Sequence, residues 1–325
     1  MGSIAPQPPT YTRDQLAKYI NFLYNSPPET GLSKLSEIEA SIQRDALGAL
    51  TTLVQRHLAV VPWTNIVLHY SQHHTVSLDP DVLFHKLVER GLGGYCMENT
   101  GLLAIVIRSL GYQVYATGAR VSRSYHSANP TREYMGWGHM VLIVNINGTK
   151  YMVDVGFGPS GPTRPLPLQE NKVVTAVAPA EMRVTKDNIS GNVDRTQRLW
   201  IYQTRSNPED PWKDGYCFYD IEFGAADFAV MNFTTSQSTS SMFTKKFVCA
   251  KFLLNEAEDD ITGTLWIAGA EVKRSINGNT EALVTLGSEA ERVSALEKWF
   301  NVHLHPMEVR GITGSPAEIL PARWD

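Results

Sequence analysis

The chain contains little cysteine: Cys96, Cys217 and Cys249 are the three thiols in 325 residues. Three cysteines are too few for a disulfide framework, and their spacing matches no zinc-ligand pattern. The histidine groups at residues 73–74 and 303–305 also lack neighbouring cysteine or carboxylate ligands, so they are interpreted as surface histidines and no metal is predicted. Unpaired thiols are typical of a reducing compartment, and we expect a cytoplasmic protein.

The sequence also lacks an excess of charge of either sign. Its 29 basic and 33 acidic residues give a net charge of −4, which excludes an overall electrostatic footprint for nucleic acid. It contains neither a signal-like N-terminal segment nor an apolar run approaching the roughly 20 residues that cross a bilayer. We therefore expect no nucleic-acid partner and no membrane association.

What the chain does contain is a change of periodicity along its length. Over residues 12–58 and 80–89, apolar residues recur every three or four positions, which predicts helices. After residue 111, short runs broken by Gly, Asn and Pro predict antiparallel strands, with a long polar and aromatic loop at 122–137. The last part mixes strands at 247–254 and 264–268 with a helix at 288–300. We predict an α+β protein with an N-terminal helical bundle (1–111), a central antiparallel β-barrel (112–222) and a C-terminal α/β lid (223–325).

The strongest chemical signal is the segment Arg90-Gly-Leu-Gly-Gly-Tyr-Cys96-Met-Glu98-Asn99. Cys96 follows a glycine pair and opens an apolar run, so it is predicted to lie at a helix N-terminus. There the helix dipole and the free backbone N–H groups favour the thiolate over the thiol. Cys96 is therefore a candidate nucleophile.

A base and a carboxylate follow on a predicted hairpin. Asn147-Gly148 is a strong two-residue turn signal between two apolar segments, one of which begins at His139 and the other of which contains Asp154. Pairing outward from this turn places His139 roughly opposite Gly156 and diagonal to Asp154, within reach on the same face. The sequence thus predicts a contact between His139 and Asp154.

Together these segments resemble the arylamine N-acetyltransferase family. The matching residues are Gly93, Gly94, Tyr95, Cys96, Glu98 and Asn99, then His139-Met140 before an apolar strand, and Val153-Asp-Val-Gly-Phe-Gly158. The resemblance extends over most of the chain, from about residue 16 to residue 300. Two positions depart from the family pattern, because Leu92 stands where an arginine is usual and Thr64 stands where a glutamate is usual.

The resemblance implies a papain-like Cys-His-Asp arrangement and a ping-pong reaction. Cys96 would take the acyl group from an acyl-coenzyme A thioester, His139 would accept the proton of the incoming aromatic amine, and Asp154 would orient His139. The backbone N–H of Cys96 and a donor near Tyr95 would meet the oxyanion.

Recognition of the substrates is also implied by the resemblance. Gly136 and the pair Ser240-Ser241 are expected to approach coenzyme A. The aromatic residues Trp63, Tyr95 and Trp137 are candidates for an arylamine pocket.

Two other functions remain open from the residues alone. The same triad would suit a cysteine hydrolase or transglutaminase-like enzyme, and the departures at Leu92 and Thr64 leave room for an inactive relative that acts as a binding protein. The acyl group is also open among acetyl, propionyl and malonyl. A malonyl group would need a nearby cation, for which Arg120, Arg123 and Lys245 are candidates. The oligomeric state is not predicted.

Overall fold

The computed structural model describes residues 7–125 and 131–320. Residues 1–6, 126–130 and 321–325, which fall in the predicted bundle, loop and lid, lie outside the described residues. Among the described residues, no helix is both long enough and apolar enough to cross a membrane.

Residues 13–109 form the predicted helical bundle, with one short strand inside it. Its elements are α1 (Arg13–Tyr24), α2 (Gly31–Arg44), α3 (Ala46–Val60), β1 (Trp63–Thr64), α4 (Pro80–Phe84) and α5 (Cys96–Ser109). The boundaries follow from local chemistry: Thr12 and Gln15 form a capping box at the start of α1, and the Asp45 side chain accepts the Gly48 N–H at 2.9 Å at the start of α3. A π-helical turn, His85–Glu89, continues α4 toward α5.

The middle of the chain is an antiparallel sheet that nearly closes into a barrel. Its strands are β2 (Gln113–Val121), β3 (His139–Ile146), β4 (Thr149–Val153), β5 (Leu166–Pro167), β6 (Val174–Thr175), β7 (Glu181–Asp187), β8 (Leu199–Arg205) and β9 (Lys213–Phe218). Their spatial order is β5-β4-β3-β2-β9-β8-β7-β6. Leu142 faces Val153 and Ile146 faces Thr149, so the register predicted from the Asn147-Gly148 turn is confirmed. The sequence analysis did not predict β9.

Within the described residues, the last part carries a second sheet and four α-helices. Its elements are α6 (Ala225–Gln237), α7 (Met242–Lys245), β10 (Val248–Leu254), β11 (Ile261–Ala268), β12 (Glu271–Ile276), β13 (Asn279–Thr285), α8 (Glu289–Phe300) and α9 (Pro306–Val309). Both predicted strands and the predicted helix are present. The β12–β13 hairpin and α6 were not predicted.

The short strand β1 ties the first part of the chain to the last. The lid sheet has the order β1-β10-β11-β12-β13, and Trp63 pairs with Ala250. On its other side, the Thr64 N–H donates to Gly94 O at 2.9 Å and the Gly94 N–H donates to Pro62 O at 3.1 Å. One strand therefore holds both the lid and the turn before Cys96. The boundaries at residues 111 and 222 stay a prediction.

Candidate active site

Cys96 is the first residue of α5, as predicted, and its side chain is almost completely buried. The turn that precedes it requires glycine at Gly93, which has φ +67° and where a Cβ atom would lie 2.2 Å from Pro62 O. Cys96 Sγ lies 3.7 Å from the carbonyl oxygen of Gly138, the residue before His139. The fold therefore brings the predicted nucleophile to the start of β3.

A buried ion pair supports the first turn of α5. Glu98 accepts the Tyr95 N–H at 3.1 Å through Oε2 and the Lys86 ammonium at 2.5 Å through Oε1. The exposed fraction is 2% for the Glu98 side chain and 11% for Lys86. Because Glu98 occupies the Tyr95 N–H, the backbone donors left for an oxyanion at this turn are those of Cys96 and Met97.

The predicted contact between His139 and Asp154 is present. His139 Nε2 lies 2.7 Å from Asp154 Oδ2, and both side chains are buried. Asp154 Oδ1 accepts the Gly156 N–H at 2.7 Å, so both carboxylate oxygens have partners. With Nε2 held by Asp154, the other ring nitrogen of His139 is the one available to Cys96.

The charges around His139 decide its protonation state. Burial by itself lowers its pKa, but the Asp154 carboxylate and the hydrogen bond to Cys96 outweigh burial and raise the pKa to about 10. An imidazolium at neutral pH beside a cysteine and a carboxylate is the arrangement that stabilises a thiolate.

A close approach of backbones sets the distance between the hairpin and α5. A Cβ atom at Gly156 would lie 2.6 Å from Cys96 Cα and 2.7 Å from Cys96 O. No side chain fits there, so a glycine is required at this position. The strand extension that carries Asp154 is thereby packed directly against the start of α5.

Aromatic rings enclose His139 on the barrel side. Its ring centroid lies 5.3 Å from Phe157 and 4.9 Å from Tyr216. Phe157 in turn lies 5.3 Å from Tyr125, which lines a cavity of about 620 Å³ between the barrel and the lid sheet together with Tyr202. None of the three predicted triad residues lines this cavity.

A second group of aromatic residues packs around Cys96. Tyr95 is fully buried and its hydroxyl donates to Asn232 on α6. Phe243 packs edge-on against Tyr95 and Trp63, with centroids 5.5 and 5.9 Å away. Trp137 packs against the same apolar cluster, so all three predicted pocket aromatics lie around this side of the site.

Helix α6 supplies Met231 and Thr235, which the sequence analysis did not single out, beside Phe228, which the family resemblance places near coenzyme A. Phe228 and Met231 are buried in the cluster with Tyr95 and Cys96. Thr235 lies beside Gly138, since a Cβ atom on that glycine would be 3.6 Å from the threonine hydroxyl. The sequence signal for this buried helix face is the spacing of three between the apolar residues Phe228 and Met231.

Two of the three residues expected at coenzyme A, Gly136 and Ser240, are exposed. Gly136 is exposed, and a Cβ atom there would meet nothing within 4 Å. Ser240 is exposed and shares a 2.8 Å hydrogen bond with Ser238. Ser241 caps α7 by accepting the Phe243 N–H at 3.2 Å, and its hydroxyl hydrogen remains able to donate.

The two family departures have different surroundings. Leu92 is buried in the apolar core of the lid. Thr64 is buried and donates to Val248 O at 2.8 Å. Arg90 does not take the place of the missing arginine, because it forms an ion pair with Glu308 at 3.0 Å.

The other two cysteines are interpreted as core residues. Cys217 lies on β9 and Cys249 on β10, and both are fully buried. Burial raises the pKa of each thiol to about 12. Neither has a histidine hydrogen bond comparable to that of Cys96.

The chain is similar to known proteins. A family model described as N-acetyltransferase matches residues 46–309. The N-malonyltransferase FDB2 of Gibberella moniliformis is 35% identical over 277 residues, covering 82% of this chain and 80% of that protein. The pineal gland isozyme NAT-10 of the arylamine N-acetyltransferases of Gallus gallus is 27% identical, covering 84% of this chain and 94% of that protein.

A solved structure is also similar to this chain in fold and in sequence. The Mycobacterium marinum arylamine N-acetyltransferase in complex with CoA matches with a TM-score of 0.65 and 27% identity. The match covers 79% of this chain and 86% of that structure.

Proposed function

The chain belongs to the arylamine N-acetyltransferase family, and from this premise we propose that it moves an acyl group from acyl-coenzyme A to the nitrogen of an arylamine or a related amine. Cys96 carries the acyl group between the two substrates. The observation that carries this assignment is the buried His139–Asp154 pair, 2.7 Å apart, beside a cysteine at a helix N-terminus.

In the first half-reaction the Cys96 thiolate attacks the thioester carbonyl. The carbon–sulfur bond to coenzyme A breaks, and the departing thiolate takes the proton of the His139 imidazolium. The Cys96 and Met97 N–H groups stabilise the oxyanion, as expected for donors in the first turn of a helix. The products are acyl-Cys96, neutral His139 and free coenzyme A.

In the second half-reaction the amine nitrogen attacks the carbonyl of acyl-Cys96. His139 accepts a proton from this nitrogen, the carbon–sulfur bond to Cys96 breaks, and the thiolate–imidazolium pair returns. Asp154 holds Nε2 of the ring and stabilises the imidazolium. Burial of Cys96 favours transfer over hydrolysis, because little water reaches the acyl group.

Coenzyme A is proposed to enter over Gly136 and the Ser240-Ser241 turn. The open space at Gly136 allows a cofactor chain close to the backbone, and the serine hydroxyls can donate to it. The CoA complex of the M. marinum relative supports an acyl-coenzyme A substrate. The similarity to an N-malonyltransferase and to an arylamine N-acetyltransferase supports malonyl and acetyl groups as the groups transferred and arylamines as acceptors.

The decisive experiment is acylation without amine. The purified protein is incubated separately with acetyl-, propionyl- and malonyl-coenzyme A, and its intact mass is followed by peptide mapping. We expect one acyl group on Cys96 and none on Cys217 or Cys249, which serve as internal controls.

The variant Cys96→Ala is the matched control. It should keep the fold, because the change in side-chain volume is small, and should gain no mass. The absence of an adduct with all three donors, or an adduct that persists in Cys96→Ala, would refute the assignment.

We also propose a cytoplasmic location, since the mechanism requires a free thiol at Cys96. Imaging of a fluorescent fusion beside a cytoplasmic marker tests it. Accumulation in an oxidising compartment would contradict it.

A further inference from the structure

Arg120 on β2 is a half-buried cation without a counter-charge. Among residues 7–125 and 131–320, it is the one half-buried arginine whose guanidinium forms neither a hydrogen bond nor an ion pair, and its Nε atom is buried without a partner. The other half-buried arginines of this part of the chain all bond to a carboxylate, an amide or a backbone oxygen: Arg56, Arg90, Arg108, Arg164, Arg183 and Arg205. A buried guanidinium donor without an acceptor costs free energy that a bound anion would recover.

An aromatic face holds this guanidinium. Its central carbon lies 4.6 Å from the centroid of the Trp137 ring. Stacking on an aromatic face holds the planar group while leaving the N–H donors at its edge free. Arg120 is thus arranged to present a fork of donors to a planar anion such as a carboxylate.

The position of Arg120 connects it to the nucleophile. Its neighbour Ala119 pairs with His139 and accepts the Gly138 N–H at 3.1 Å. Gly138 O lies 3.7 Å from Cys96 Sγ, and Trp137 precedes Gly138 in the chain. Trp137 also packs against the apolar cluster that contains Cys96. Trp137 therefore contacts both the guanidinium of Arg120 and the apolar cluster that contains Cys96.

We propose that Arg120, held by Trp137, binds the free carboxylate of a dicarboxylic acyl group of the malonyl type while that group is on Cys96. This inference rests on the proposed function, because it requires acyl-Cys96. It selects one of the three cations considered from the sequence: Arg123 and Lys245 are both exposed, whereas Arg120 has the aromatic support and the unsatisfied buried donor. Arg120 acts on specificity and leaves the chemical step to the triad.

The test compares charged and neutral donors in wild-type protein and in variants. Steady-state kcat/KM is measured with malonyl-, butyryl- and acetyl-coenzyme A and one aromatic amine. Butyryl is a neutral donor of similar length to malonyl. Wild type should prefer malonyl over butyryl, and Arg120→Met should lower kcat/KM for malonyl by about tenfold or more, as for loss of one charge-assisted hydrogen bond. The values for acetyl should change less than about twofold, and Arg120→Lys should keep part of the malonyl preference.

A matched control uses a second arginine of the same barrel. Arg183 also stacks on a tryptophan, with its guanidinium carbon 4.2 Å from the Trp212 ring, but it has a partner in Gln203. Arg183→Met should leave the ratio of malonyl to acetyl activity unchanged. Thermal unfolding of each variant shows whether it is folded.

Three results would overturn the proposal. Equal use of malonyl and butyryl by wild type would do so without any variant. An equal fall with all three donors in Arg120→Met would assign the cation to the phosphates of coenzyme A instead of the acyl carboxylate. An unchanged ratio of malonyl to acetyl activity in Arg120→Met would show that Arg120 does not determine the choice of acyl donor. Acylation of Cys96 by acetyl-coenzyme A in wild type would show in each case that the proposed function itself stands.

Discussion

His57 in the helical bundle and His139 in the barrel are both fully enclosed, yet their pKa values move in opposite directions. His57 has a tyrosine hydroxyl, Tyr19 Oη, at 2.9 Å and no charged partner, and burial lowers its pKa to about 3. For His139, burial acts in the same direction, but Asp154 and Cys96 reverse the result and raise the pKa to about 10. Enclosure alone thus gives a neutral histidine, and an enclosed carboxylate gives a charged one.

The comparison predicts that, without the Asp154 carboxylate, the pKa of His139 falls, as burial makes that of His57 fall. In Asp154→Asn, the amide oxygen can still accept the Gly156 N–H, but the counter-charge of the imidazolium is gone. We expect kcat to fall by roughly 10³–10⁴-fold, as for loss of the carboxylate from a catalytic triad. Alkylation of Cys96 by iodoacetamide at neutral pH should slow in parallel. Alkylation at the wild-type rate would show that Asp154 does not maintain the thiolate.

A buried carboxylate should likewise depend on a partner of opposite charge. Lys86→Met leaves Glu98 without its ammonium partner at the start of α5, and we expect the free energy of unfolding to fall by about 3–5 kcal/mol. The double variant Lys86→Met/Glu98→Gln should recover part of this loss. Urea unfolding measures it.

An exposed ion pair provides the control for Lys86. Lys18 and Glu89 lie 3.1 Å apart with side chains 61% and 39% exposed. Lys18→Met should change the free energy of unfolding by no more than about 1 kcal/mol. Equal losses in the two lysine variants would mean that burial of the Lys86–Glu98 pair adds nothing.

Geometry can be separated from charge at Gly156. Gly156→Ala keeps every charge of the site but places a methyl group 2.6 Å from Cys96 Cα, so α5 or the hairpin must move. We expect kcat to fall by about 100-fold, as for a displacement of reacting groups by about 1 Å. Gly191→Ala, at a position with no atom within 4 Å, is the control and should retain full activity. Full activity in both variants would contradict the close packing of Gly156 on Cys96.

The two histidines should also give opposite dependences of stability on pH. Because the folded pKa of His139 lies above its unfolded value of about 6.5, its contribution is fully present below about pH 6.5 and is lost as the pH rises toward 10. The folded pKa of His57 lies below the unfolded value, so His57 destabilises the fold as the pH falls from about 6.5 toward 3. Each slope is at most about 1.4 kcal/mol per pH unit.

Urea unfolding across this range separates the two contributions. His57→Gln should flatten the acid side of the stability profile, and Asp154→Asn should flatten the alkaline side. If either variant flattened both sides, the two residues would not titrate independently.

The parts of the fold that follow local rules were predictable from the sequence. The Asn147-Gly148 turn gave the register of β3 and β4, and with it the contact between His139 and Asp154. The glycine pair before an apolar run gave the position of Cys96 at the start of α5. In each case residues near in sequence decide the structure.

The parts that depend on distant partners were not predictable. In β9, Asp214 and Gly215 obscure the strand pattern, but Asp214 is buried because it pairs with Gln203 and Tyr134, and Gly215 lies against the Tyr202 ring. The β12–β13 hairpin carries many exposed polar residues and lacked the apolar alternation used to find strands.

The role of Lys86, and the choice of Arg120 among the three candidate cations, were not predictable for the same reason. Lys86 reaches Glu98 through a π-helical turn that no sequence pattern predicts. Arg120 is distinguished from the other arginines by the partner that it lacks, which is a property of the folded chain.

The pairing of β1 with β10 has a consequence for the order of events during synthesis on the ribosome. Trp63 and its partner Ala250 are 187 residues apart, so the helical bundle and the barrel are translated well before β1 gains its neighbour. The Gly94 turn forms hydrogen bonds with Pro62 and Thr64 at β1, whose partner strand β10 is synthesised late. Contacts of such long range form slowly. A further 154 residues are therefore added after Cys96 before Ala250 can support the turn that carries it, and competence for acyl transfer comes with the last quarter of the chain.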